Sequence, residues 1–521
     1  MSLSSDSIDD GQRFSGRKTP RVKVCALIAV IACQTMALRV MTLPLSRVIE
    51  SRYCREYYRE HDPSVISHDG TVPEELCKLN SVQQQLAWLQ GSIETLHVLC
   101  DILVTLPLAL LSDRRGRRPV LLLSTISMFL MWTAIALVGF FRDVFPVSVM
   151  LAATLFTLIG GGDCVFISTA TATATDLAAD EVTRATLFAY TGSVQYVSTL
   201  VAPALAAYTM TLNLWLPFVI GLGLLLLAMP LTLLLPGREY SSEESSTHTS
   251  RNVDEQSALL ADPSYLEEEF SPENPSPTAK EDNRIRPAFF EEIFKHLSSL
   301  CTSIFERRKF QLLMGIFFLA SLASSNTPIL VLYISKRYGW TFAQAGYLLS
   351  AKAAVNVILL TVIIPGFVNL ASRKFHLSTR SINVGAAEIC IVISIAGVLC
   401  IAGAINMATL ITGLVIYALG SALPIFTNLL VKDPQMITIH STGSAQDYSL
   451  AVLSRTFGML LGVPAMTAIW TKAISVGGAA LGLPYFASAV SPGTSLLGCA
   501  TDVNKIIYTI AAILVWRLRG E

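Results

Sequence analysis

Pro107-Leu-Ala-Leu-Leu-Ser-Asp113-Arg-Arg-Gly116-Arg117-Arg118-Pro119 places a carboxylate, a glycine and four arginines between two long apolar runs. An aqueous segment this short and this basic has no room for a domain. It reads as a tight hairpin joining two membrane spans. Basic residues beside a span stay on the cytoplasmic side, which predicts a cytoplasmic hairpin.

Outward from the hairpin, apolar runs recur at the length of about 20 residues that crosses roughly 30 Å of hydrocarbon. They cover 24–45, 86–111, 119–141, 146–169, 185–210 and 213–235, then 310–333, 341–366, 383–404, 407–431 and 446–471, with a last run ending near Leu518. The expected fold class is an all-α polytopic membrane protein of twelve transmembrane helices. Its expected parts are a disordered cytoplasmic tail at 1–23, an N-terminal six-helix bundle at 24–235, a cytoplasmic linker at 236–309 and a C-terminal six-helix bundle at 310–518. Within the linker, 236–287 is rich in Ser, Glu, Pro and Asp. Residues 288–306 follow helical spacing and predict an amphipathic helix on the membrane or the bundle.

Composition agrees with this reading. Of 521 residues, 52% are hydrophobic and 15% charged, and mean hydropathy is +0.54, too apolar for soluble domains to cover their surface. A formal net charge of +0 gives nucleic acid no electrostatic hold. No zinc-ligand spacing, phosphate-cradling glycine loop or nucleophile elbow appears, so an enzyme is not expected and neither is a cofactor or metal. The basic clusters at Arg13 to Lys23, Arg114 to Arg118, Arg284 to Lys309, Arg373 to Arg380 and Arg517 to Arg519 fall on one side if both termini are cytoplasmic. Met1 to Lys23 is polar and does not read as a cleavable signal. Glu255-Gln-Ser-Ala-Leu259-Leu260 resembles an acidic dileucine sorting signal, so plasma membrane and vacuolar or endosomal membrane are both open.

Ten cysteines are present, mostly inside apolar runs as small packing residues. Cys54 and Cys77 lie instead in the polar stretch after the first span, on the side expected to be oxidising, and a disulfide between them is one of two open outcomes. The last span is interrupted. Residues 491–505 read as an insertion such as a retained intron, or else as a re-entrant or tilted segment.

Ionisable groups are costly in hydrocarbon and by default face a cavity or one another. Glu94, His97 and Asp101 share one face of the second span, offset by three and seven residues. Two carboxylates with a histidine between them suit binding and release of a proton. A polar stripe packed for structure is the alternative. Laying Pro107 on Pro365 superposes the second span on the eighth and sets Glu94 on Lys352, opposite charges able to pair in one state and part in another. Arg39 in the first span could meet an anionic substrate or reach a headgroup. Asp163 follows Gly160-Gly161-Gly162, where a span can unwind or approach its neighbour closely. Glu388 and Arg455 lie near span ends, and Asn326, Asn356 and Asn428 suit interhelical hydrogen bonds.

The hairpin also resembles the signature loop of the major facilitator superfamily, between its second and third helices. Ala109, Asp113, Gly116, Arg117 and Arg118 fill its places, with alanine where glycine is usual. That resemblance implies a charge network of Asp113 and Arg117 holding a cytoplasmic gate, and alternating access between two rocking bundles, the geometry known for this superfamily. The counterpart loop, Asn369 to Leu377, keeps Arg373 and Lys374 but lacks the aspartate. Ser198 to Ala206 loosely resembles the antiporter motif with alanine for glycine, leaving uptake and efflux both open. The Cys54-Arg-Glu-Tyr-Tyr58 run, the Asp113 loop and Gly162-Asp163 together resemble fungal members related to the solute-carrier branch containing the proton-coupled folate transporter. The expected function is therefore secondary active transport of a small molecule, coupled to protons, by a monomer in the lipid bilayer. A transport-inactive sensor or scaffold retaining the fold is the alternative.

Overall fold

A computed structural model describes residues 21–68, 70–178, 181–235, 308–363, 366, 379–423 and 444–489. The tail before residue 21, the linker with its amphipathic helix 288–306, the dileucine, the loop Asn369 to Leu377, Pro365, Asn428, the stretch 491–505 and the run ending near Leu518 lie outside the described residues.

The N-terminal half carries α1 Arg21–His61, α2 Asn80–Arg115, α3 Arg117–Phe140, α4 Val149–Ala153, α5 Thr157–Gly160, α6 Asp163–Leu177, α7 Glu181–Leu212 and α8 Leu216–Leu233. The C-terminal half carries α9 Arg308–Ser324, α10 Ile329–Tyr338, α11 Phe342–Ile358, α12 Thr379–Ala402, α13 Met407–Leu419, α14 Ser444–Val476 and α15 Leu483–Ala489. Among the described residues, nine helical stretches are long and apolar enough to cross a membrane. Every described element is helical, as hydrocarbon requires of a chain that must satisfy its own backbone.

Three departures from the apolar runs matter. The first run ends at 45, yet α1 continues to His61. Its 41 residues reach about 60 Å, twice the hydrocarbon thickness, because nothing after Pro44 breaks the helix. The fourth span is interrupted at Gly161 and Gly162, and Gly161 adopts φ +76°, which favours glycine. The seventh is interrupted between Ser324 and Ile329, ahead of α10. The alternating Ser168-Thr-Ala-Thr-Ala-Thr-Ala-Thr175 run has strand periodicity but is helical. Thr171, Thr173 and Thr175 turn their hydroxyls back onto the carbonyls four residues earlier, at 2.7, 2.8 and 3.0 Å.

The halves meet along two helix pairs, α2 on α14 and α7 on α11. Each seam has a glycine at its closest approach. A Cβ on Gly91 would lie 2.6 Å from Thr467 Cγ2, and one on Gly346 would lie 3.1 Å from the Pro203 carbonyl oxygen. Ser198 to Ala206 runs along the second seam. Ala202 and Ala206 are fully buried, and Ser198 shares a 3.1 Å hydrogen bond with Thr35 of α1.

Core packing differs between the two ends of the molecule. Toward the end bearing the Cys54–Cys77 loop, one hydrophobic cluster runs without interruption from Val40, Leu45 and Leu86 to Tyr333, Met466 and Trp470, joining the halves. Toward the end bearing the arginine hairpin, Leu27, Phe166 and Ala170 form a cluster of the N-terminal half. Among the described residues, Leu313, Phe317 and Ile391 form a separate one in the C-terminal half.

Candidate functional site

Just beneath the continuous core, α2, α14 and the α9–α10 break surround a small cavity. Glu94, Gln90 and Gly91 line it from the N-terminal half, and Ser325, Thr467 and Trp470 from the C-terminal half. Its volume is about 20 Å³, room for one water-sized sphere. Glu94 is half-buried and makes no hydrogen bond or ion pair among the described residues.

The other two groups on that helical face have different surroundings. Asp101 accepts hydrogen bonds from the backbone N–H groups of Gly162 at 2.7 Å and Cys164 at 2.8 Å. Its carboxylate thus meets amides that the start of α6 would otherwise leave unbonded, at the positive end of that helix. His97 lies against the same break. A Cβ on Gly162 would stand 2.8 Å from both His97 Cε1 and Asp101 Oδ2, and His97 Nδ1 is buried with no hydrogen-bond partner. Asp163, the first residue of α6, is exposed, as is Arg39 on α1. Lys352 is not paired with Glu94 in this conformation. Its Nζ lies 4.5 Å from the Tyr417 ring centroid, a cation–π contact. Asn326, in the break between α9 and α10, donates to Ser488 of α15 at 2.9 Å, and Asn356 of α11 accepts from Ser421, just past α13, at 3.0 Å.

At the hairpin, Gly116 alone separates α2 from α3, at φ +93°, a conformation that disfavours any side chain. Arg117 holds Asp176 at the far end of α6 through two nitrogens, Nε and Nη2, the latter at 3.1 Å. Asp176 was not singled out in the sequence. Its signal is a carboxylate closing the fourth span, shortly before Asp180 and Glu181, on the face where the arginines emerge. Ala109 is exposed and Arg118 half-buried, and the Asp113 side chain lies outside the described residues.

The opposite end holds a denser polar set, built on the polar stretch after the first span. Cys54 of α1 and Cys77 form a disulfide, with Cα atoms 5.3 Å apart. Fully buried Glu50 accepts from Lys78 Nζ at 2.8 Å, Gln83 Nε2 at 2.6 Å and Arg47 at 2.8 Å. Glu74 pairs with Lys78 at 3.2 Å and with Arg47 at 3.3 Å. Four hydrogen bonds then cross to the other half. Lys78 Nζ donates to Ser335 Oγ at 2.6 Å, and Lys336 donates to the Lys78 carbonyl. The Phe342 N–H donates to Glu74 at 2.8 Å, and Gln84 donates to the Thr471 carbonyl at 3.1 Å.

Known proteins place this architecture. The MFS efflux pump atnC of Emericella nidulans is 25% identical over 478 residues, covering 91% of this chain and 86% of its own. Efflux pump ustT of Aspergillus flavus is 25% identical over 425 residues, covering 80% and 78%. Among solved structures, the xylose transporter XylE from E. coli, partially occluded and inward open, superposes with a TM-score of 0.53 at 12% identity, over 96% of this chain and 100% of that one. The human organic anion transporter MFSD10 superposes with a TM-score of 0.50 at 17% identity, over 95% and 98%. Likeness at such identities speaks for the fold alone. The sequence model of the Major Facilitator Superfamily matches residues 78–495, and the chain belongs to that superfamily of membrane transport proteins.

Proposed function

We propose that the protein is a secondary active transporter that exports a small organic molecule in exchange for protons, by alternating access. The observation that carries this reading is Glu94. It is a carboxylate between the halves, without a hydrogen bond or ion pair among the described residues, next to a cavity beneath a sealed seam. An ionisable group so placed marks a proton or substrate path by default, and its proton exchanges with whichever side the cavity faces. His97 and exposed Asp163 extend the path away from the seam. Asp101 is committed to the α6 amides and acts as a positioning residue. In this reading Lys352 and Arg39 supply positive charge along the transport path, and Lys352 meets Glu94 only in another state.

Direction is supported by likeness to two efflux pumps. Orientation is supported by the arginine hairpin, which belongs in the cytoplasm with both termini, and by the disulfide, which persists in an oxidising compartment. In that orientation the conformation described here faces inward. The reading includes two six-helix bundles at 24–235 and 310–518, a cytoplasmic gate built on Asp113, Arg117 and Arg118, and a monomer in the plasma or vacuolar membrane. Kinship with the solute-carrier branch of the proton-coupled folate transporter rests on the Cys54 to Tyr58 run, the Asp113 loop and Gly162-Asp163.

The test is reconstitution in proteoliposomes loaded with a pH-sensitive dye, challenged with a panel of small organic molecules under an imposed pH gradient. A substrate should dissipate the gradient, and Glu94→Gln should abolish that response while leaving the fold intact. Binding without flux would instead favour a transport-inactive sensor, and full coupling in Glu94→Gln would remove Glu94 from the mechanism.

A further inference from the structure

We propose that Pro73–Leu79 is a latch that shuts the disulfide end, with Lys78 and Glu74 as its gating residues and Glu50 and the Cys54–Cys77 disulfide as the elements that position them.

Bonds within the N-terminal half and bonds across to the other half do different jobs. Within the half, the strap is held three ways. The disulfide ties Cys77 to α1. Gln83 Nε2 reaches both the Cys77 carbonyl at 3.1 Å and Glu50 at 2.6 Å. Lys78 is fixed between Glu50 and Glu74. Across the divide, the strap gives Lys78 Nζ to Ser335, the Lys78 carbonyl to Lys336, and a Glu74 oxygen to the Phe342 N–H. Lys78 Nζ also stands 4.6 Å from the Phe342 ring centroid.

The chemistry of these two sets is unequal in a way that suits a reversible latch. Each hydrogen bond that the strap releases on opening has a neutral group on at least one side. Lys78 keeps two carboxylates, Glu74 keeps two cations and Glu50 keeps all its donors. None of these three charges is therefore stranded, which is the expensive way to break a polar interaction; half-buried Lys336 exchanges its carbonyl acceptor for water. Phe342 is the first residue of α11, whose own cap is the reciprocal Thr341–Gln344 pair. Glu74 meets a further amide at that positive helix end from the opposite half. The strap thus recognises a helix terminus rather than a matching salt bridge. The disulfide and Glu50 keep it presented on α1 while it is released.

The experiment is hydrogen–deuterium exchange on the full-length protein in nanodiscs, following peptides that cover 73–79 and 335–342. Neither proton coupling nor a substrate enters this readout, so it stands or falls separately from the role of Glu94. Ser335→Ala and Lys336→Met each remove one crossing hydrogen bond and leave Glu50 fully paired; Ser335→Ala also loses the 2.8 Å bond from Ser335 to the Trp340 carbonyl, so for that variant the 73–79 peptide decides. Each should accelerate exchange about fivefold or more in both segments. Lys78→Met should do so more strongly and Lys78→Arg less. Should Lys78→Met fail to fold, because it takes a cation from buried Glu50, the two C-terminal-half variants decide. Reduction of the folded wild type by a phosphine should also release both segments. Acceleration confined to 73–79, with 335–342 unchanged, would mean the strap is only local structure and would overturn the proposal. So would unchanged exchange in both segments for the two C-terminal-half variants.

Discussion

Gly91 offers the sharpest test of the two-seam architecture. A Cβ at this position would stand 2.6 Å from Thr467 Cγ2 and 2.9 Å from Thr467 Cβ, closer than real side chains pack. Gly91→Ala must therefore push α2 and α14 apart, at the roughly 1–3 kcal/mol typical of overpacking. The gain in helix propensity, about 1 kcal/mol, is common to every state of the transporter and cancels. The clash exists only while the seam is shut. The whole penalty thus falls on one conformation and should shift the shut-to-open ratio by roughly 5- to 150-fold. Spin labels on keto amino acids at Glu75 and Ile405, exposed on opposite halves of the disulfide end, report that ratio directly. Double electron–electron resonance should show a longer distance gaining population in Gly91→Ala. Adding Thr467→Ala removes the nearest atoms and should restore most of the wild-type distribution. An unchanged distribution in the single variant, or a shift that Thr467→Ala leaves in place, would refute the reasoning.

Gly162→Ala would crowd Asp101 and His97 at 2.8 Å, and Asp101→Ala would leave two α6 amides without their acceptor. Each should lower stability by about 1–3 kcal/mol in thermal unfolding, and the double variant should fall short of the sum; full additivity would mean the sites are independent. Arg117 and Asp176 are 28% and 34% exposed, so a double-mutant cycle of Arg117→Ala and Asp176→Asn should give a coupling of about 1 kcal/mol or less. A coupling several times larger would place the pair in a buried network.

The membrane fold was legible because each run of about 20 apolar residues states its own length. The hairpin was legible because Gly116 must be glycine at φ +93°. The break beside Asp163 was foreshadowed by three consecutive glycines. Periodicity correctly set Glu94, His97 and Asp101 on one face, but it says nothing of what stands opposite each of them. Asp101 meets backbone amides 61 and 63 residues away, whereas Glu94 meets a cavity. The latch was illegible for the same reason. Lys78 and Ser335 are 257 residues apart, and a polar stretch of mixed sign looks like any solvated loop until its partners are known. Asp176 escaped notice because carboxylates near a helix end are common, and only the folded chain brings Arg117 to it.

The single-residue joint at Gly116 has a mechanical consequence. Two long helices joined without slack cannot slide past one another, so whatever tilts α2 is delivered directly to α3 and, through its packing, to α8. With 36 residues, α2 is a lever about 54 Å long. A swing of about 10° around its centre would carry its two tips about 5 Å in opposite directions. A displacement that size would free the proposed outer latch while driving the arginine tip the other way, so one rotation would serve both proposed gates.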